Sequence, residues 1–203
     1  ILVVPTEVGG RVVRIETLPG AIVEPDTILL ELSNPQLKQQ AFELKFQLKS
    51  AQAKLSLLKV QLEESRLGLE VKIAELASQL NFAKADAAAD KRLAEKKFIP
   101  ELTMNKSQAL ATNLERRLEL ENKSLDAADD SADAQLAVQQ SDITKLEAAL
   151  KLKNDEVDSL IVRAGISGVV QQIGPIAGRT MEVGERVGPG AVLAEIVEPS
   201  KLM

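Results

Sequence analysis

Cysteine, histidine, tryptophan and tyrosine are all absent from this chain of 203 residues, and aromatic residues make up 2% of it. Without Cys or His there are no thiolate or imidazole metal sites, no Cys nucleophile and no His-based triad. The lack of Cys fits an oxidising compartment. Scarce aromatics argue against a conventional compact core along the whole length, whereas long Leu/Ala helical pairs need none. There is no apolar run of about 18 residues of the kind that spans a bilayer. The net charge of −5 leaves no basic footprint for nucleic acid or anionic lipid. Glycine and proline are also missing from most of the interior. Between residues 36 and 160 only Gly68 and Pro100 occur.

What is present begins with a repeat, which has to be read first because it sets the architecture. Gly10-Arg-Val-Val-Arg-Ile15 returns as Gly168-Val-Val-Gln-Gln-Ile173. Gly20-Ala-Ile-Val-Glu-Pro25, running on to Glu31-Leu32, returns as Gly184-Glu-Arg-Val-Gly-Pro189, running on to Glu195-Ile196. Each copy is too short to bury a core alone. The two ends are therefore expected to fold together, with the rest looped out. Ten of the eleven glycines fall in 9–20 and 165–190, and with the β-branched residues around them they predict short strands and tight turns.

The interior reads as two helices, over about 35–97 and 100–160. Asn34-Pro35 is a start signal, Asn as N-cap and Pro at the first helical position. A seam of mostly apolar positions then follows steps of four and three: Leu37, Ala41, Leu44, Leu48, Ala51, Leu55, Leu58, Leu62, Ser65, Leu69, Ile73, Leu76, Leu80, Ala83. A second runs through Ala111, Leu114, Leu118, Leu125, Ala128, Ala132, Leu136, Ile143 and Leu150. Each stutters once, near Leu69 and near Ala132, as two co-packed helices should. A helix of about 60 residues is roughly 90 Å long and needs a partner along its seam. Phe98-Ile99-Pro100-Glu101 breaks the pattern and turns the chain. The domain reading is 1–34 as the first half of a β-unit, 35–161 as an antiparallel hairpin, and 162–203 as the second half.

A split β-unit with a helical hairpin inserted in it resembles the periplasmic adaptor, or membrane fusion, protein family. The residues that carry the resemblance are Gly9-Gly10-Arg-Val-Val-Arg-Ile, Ile161-Val-Arg-Ala-Gly-Ile-Ser-Gly168-Val-Val and Val183-Gly184-Glu-Arg-Val187-Gly188-Pro-Gly190-Ala-Val-Leu193. The resemblance implies an α+β fold: a split lipoyl/biotinyl-like β-sandwich carrying a long α-helical coiled-coil hairpin. It implies a non-enzymatic adaptor in the periplasm, without cofactor, whose parent is anchored to the inner membrane. Its implied partners are an outer-membrane channel, an inner-membrane transporter of ABC or RND type, and further copies of itself in a ring. The tail Glu195 to Leu202 resembles the link to a β-barrel domain.

The hairpin tip is the expected partner site: Arg92, Leu93, Lys97, Phe98, Ile99, Pro100 and Glu101. Many relatives dock through Arg, then Leu four residues on, then Ser seven further. Here Ala89, Leu93 and Pro100 stand at those places, so a different docking mode or partner subclass is expected. Phe98 and Ile99 have two readings, a cap between the helices or a contact surface for another protein. The six-residue expansion around Arg179, Met181 and Glu182 is a second candidate, a loop facing the ring axis or a neighbour, against a plain surface loop. The aspartates at 126, 129, 130 and 133 read as a solvated face near Arg66 and Lys72, since they lack a calcium-loop pattern. The Gly184–Gly190 cluster reads as turns. Two alternatives stay open: a lipoyl or biotin carrier of an enzyme complex, whose nearest lysines, Lys38 and Lys153, lie in predicted helix, and a plain coiled-coil dimerisation protein.

Overall fold

The computed structural model of the protein describes residues 2–174 and 180–198. Four strands precede the helices: β1 Leu2–Pro5, β2 Gly10–Ile15, β3 Ile22–Val23 and β4 Ile28–Ser33. Helices α1 (Pro35–Glu95) and α2 (Glu101–Asp158) follow. Then come β5 Ile161–Arg163, β6 Gly168–Ile173, β7 Arg186–Val187 and β8 Val192–Val197.

The ends fold together. The two antiparallel sheets run β1-β8-β6-β3 and β5-β4-β2-β7. Each takes two strands from either end of the chain, and exchanging the repeats turns one sheet into the other. The correspondence reaches single residues. Val12 pairs with Leu32 and Val170 with Ile196, and both ladders slip by one residue next, at Val13 and at Gln171. Strands β4 and β8 bury the same three positions, Leu29, Leu30 and Leu32 in one and Leu193, Ala194 and Ile196 in the other. Leu29, Leu30, Leu193 and Ile196 are wholly buried between the sheets, each stabilising by about 1.5–3 kcal/mol.

Two compact units result, Ile1–Lys49 with Thr144–Met203, and Ser50–Ile143. In the first, Leu37 and Leu160 from the helix roots join the sandwich core. Asn34 couples root to sheet: its Oδ1 accepts from the Leu37 amide at 3.1 Å and its Nδ2 donates to the Gly9 carbonyl at 2.8 Å. One side chain thus satisfies an orphan donor of α1 and ties it to the start of β2. At the far root Ser159 Oγ donates to Glu7 at 3.1 Å.

In the second unit Leu76, Leu80 and Ala83 pack on Ala111 and Leu114, all of them seam positions. Ser65 of α1 and Ala128 and Ala132 of α2 line one groove of about 400 Å³, where small residues leave the seam unfilled. Arg66 bridges it, 3.6 Å from Asp129 and 3.3 Å from Glu70. Both pairs are half-exposed, so each stabilises by about 0–1 kcal/mol.

Candidate partner-binding surfaces

The tip is built by a helix-ending motif that has no glycine in it. The Lys97 amide donates to the Ala94 carbonyl at 2.8 Å and the Phe98 amide to the Leu93 carbonyl at 2.9 Å. This is the Schellman pattern, and it needs a left-handed residue at its C′ position. Lys97 occupies it at φ 59°, the one non-glycine residue with positive φ among the described residues. The left-handed turn therefore ends α1 at Glu95 and throws Phe98 outward. Pro100 then accepts from the Thr103 amide at 3.0 Å, and α2 opens with Glu101 in its first turn, a favourable charge for a helix N-terminus.

This arrangement leaves Phe98 74% exposed and Leu102 64% exposed. Leu93 is exposed at the threshold of the same patch, and Ile99 is half-buried. Arg92, Lys97, Pro100 and Glu101 are exposed around them, with the Arg92 Nε donating to the Ala88 carbonyl at 3.2 Å. An apolar centre with a charged rim is the composition of a protein contact. Leu102 was not among the residues singled out from the sequence. Its place in the first turn of α2, just after the apolar break at Phe98-Ile99, is the signal that could have found it.

The second expected site divides. Arg179 lies outside the described residues. Met181 is buried in the sandwich core, so its side chain is packing and not surface. Glu182 is exposed, and its amide donates to Glu185 at 3.3 Å.

A third surface escaped the sequence reading. Phe46, Leu57, Val60, Leu67, Val71 and Phe82 of α1 are all more than half exposed. Each follows a seam residue by two positions (Leu44, Leu55, Leu58, Ser65, Leu69, Leu80), which puts it about 200° round the helix. Phe42 and Phe46 sit edge to face with centroids 4.6 Å apart. So α1 carries a second apolar stripe on the face turned from its seam. The 3.6-residue period could have revealed it once the seam series was subtracted.

Among the described residues no group of three or more acidic, Cys or His side chains could hold a metal ion, and no helix is long and apolar enough to cross a membrane.

No family model and no curated protein matches this chain. Solved structures do. The periplasmic adaptor protein EmrA matches 98% of the chain and 72% of its own length, with a TM-score of 0.55 at 17% identity. MacA from Actinobacillus actinomycetemcomitans matches 99% of the chain with a TM-score of 0.56 at 17% identity, and the chain spans 50% of its length. The soluble domain of LipC, a membrane fusion protein of a type I secretion system, matches 97% of the chain and 98% of its own, with a TM-score of 0.53 at 16% identity. At such identities the likeness is one of fold. The chain has the fold of the periplasmic adaptor, or membrane fusion, proteins: a pair of long helices with antiparallel sheets.

Proposed function

We propose that this chain is the sandwich-and-hairpin part of a periplasmic adaptor that joins an inner-membrane transporter to an outer-membrane channel for efflux or secretion. The observation that carries the reading is a fold shared end to end with adaptor and membrane fusion proteins, hairpin included. The work is mechanical. The sandwich, which we read as a lipoyl-type domain, holds the helix roots, the hairpin acts as a spacer, and the apolar tip meets the channel by helix-on-helix packing. Copies packed side by side form the conduit, and the outer stripe of α1 supports such packing because an exposed apolar face of that length needs cover.

The carrier alternative loses ground on composition. Residues 1–34 and 162–198 hold no lysine, so no described turn of the sandwich offers an amine for lipoyl or biotin. Lys38 lies within α1 and Lys153 within α2, and Lys153 is paired with Glu156 at 2.7 Å.

The test is cross-linking in cells. The chain has no native thiol, so single cysteines report cleanly. Leu93→Cys and Phe98→Cys should yield adducts with an outer-membrane channel, and Ser56→Cys, far along α1, should not. Tip variants that capture no channel while the protein is expressed and folded would overturn the reading.

A further inference from the structure

We propose that copies of this chain associate head to tail through the two outer edges of the sandwich, the basic β7 edge of one meeting the acidic β3 edge of the next. The inference rests on the self-association proposed above and names its contact.

Strands β3 and β7 are equivalents in the repeat, and each is the two-residue edge of its sheet. In the pairing of β7 with β2, Arg186 lies opposite Arg11. In the pairing of β3 with β6, Ile22 lies opposite Val169. The same scaffold position therefore carries two cations on one edge and two aliphatic side chains on the other. A groove of about 770 Å³ adjoins the first edge, lined by Arg11, Val13, Gln36 and Arg186. One of about 420 Å³ adjoins the second, lined by Ile22, Glu24, Val169 and Glu198.

The basic edge calls for an anion. Like charges directly opposite on paired strands repel, and among the described residues neither arginine has an acidic partner. The N-terminus of α1 opens into the same groove with no acid in its first turn, adding its own positive end. The other edge supplies the complement. Glu24 is exposed, and Ile22 is 84% exposed beside it, an apolar contact flanked by carboxylate.

The edges lie on opposite sides of the sandwich. The Ala164 and Gly165 amides donate to Thr27 and Pro25, which sets the β3 edge beside β5. The Thr6 and Gly190 amides exchange bonds with Ala191 and Thr6, which sets the β7 edge beside β1. Complementary faces on opposite sides of one molecule make a heterologous contact, which repeats from copy to copy, into a ring where the rotation closes, and covers both exposed strand edges. That the fitting surface occurs on the same chain favours a second copy over any other acidic protein.

The test places thiols beside the charges and leaves the charges in place. In the intact protein, Val13→Cys with Ile22→Cys and a short bis-maleimide should give a ladder of covalent multimers, and either single variant should give none. Adding Arg186→Glu should cut the ladder several-fold, as should Glu24→Arg, and the two reversals together should restore it. Dimers from Val13→Cys alone would mean a two-fold contact and overturn the proposal, as would a ladder indifferent to either reversal. No ladder while tip adducts at Leu93 persist would overturn this contact and leave the adaptor reading standing. Loss of both would overturn both.

Discussion

The amide of Gly20 donates a 2.7 Å hydrogen bond to the carbonyl of Val170, and the amide of Gly184 returns the same bond to Val12 at 2.8 Å. Each half of the repeat thus completes the other. Neither is a domain in its own right.

Excision should show this. Removing residues 2–33 takes both β4 and β2 from one sheet, and β1 and β3 from the other. The expected outcome is loss of strand signal in circular dichroism and rapid proteolysis within 161–198, with helix retained. A plain coiled-coil protein would keep its paired helices and its thermal midpoint. A protected C-terminal segment in the truncated chain would contradict the intertwined sandwich.

Glycine at 168 is steric. A Cβ there would lie 2.7 Å from Ile196 Cγ2 and 2.7 Å from the Val197 carbonyl oxygen. Gly168→Ala should destabilise by about 1–3 kcal/mol, the range for overpacking, read as a lower urea midpoint at unchanged slope. At the equivalent Gly10 the approach is 3.1 Å, so Gly10→Ala should cost less. Gly188→Ala meets open space and should change little.

At Lys97 the sign reverses. A side chain at φ 59° carries a cost of about 1 kcal/mol that glycine does not. Lys97→Gly should therefore raise stability by about that amount. A drop in thermal midpoint would mean that the lysine side chain holds the turn in some other way.

Phe98 and Leu102 separate stability from docking. Both are mostly exposed, so Phe98→Ser with Leu102→Ser should leave stability within about 0.5 kcal/mol. Channel adducts from Leu93→Cys should fall sharply in that background. Adducts at full yield would remove the tip patch from the docking surface.

Stability should be flat between about pH 6 and 8, because no side chain here titrates in that window at its ordinary value. The exposed pair of Glu119 and Lys123, in which both partners are shifted, acts outside it. A hydrogen bond from Lys123 lowers the Glu119 pKa, and the same bond raises that of Lys123. The Glu119 contribution is present above its unfolded pKa and is lost as pH falls through the folded value. The Lys123 contribution is present below its unfolded pKa and is lost as pH rises through the folded value. A step in thermal midpoint near neutrality would refute the plateau.

The β-repeat was legible because its glycines answer to close strand packing and its turns to positive φ, constraints that few other residues meet. Asn34-Pro35 was legible for the same reason, since capping chemistry is local. The seam was legible from its period, and Leu76, Leu80, Ala83, Ala111 and Leu114 meet where it put them. The left-handed turn was not, because a lysine carries no signal for φ above zero. The burial of Met181 was not, because its segment has no counterpart in the first half to compare with. The second stripe of α1 was hidden by the first: one period explained the helix, and Val60 and Val71 were left over. The opposite charges of the two sheet edges became visible only once pairing set Arg11 against Arg186.

One residue separates β4 from α1, and two separate α2 from β5. The joints have no slack. Asn34 and Ser159 bond Gly9 and Glu7, so strain at either root would act on the short connection between β1 and β2. Both roots would thus load the same few residues, and the one stretch from Thr6 to Gly9 would register a disturbance of either.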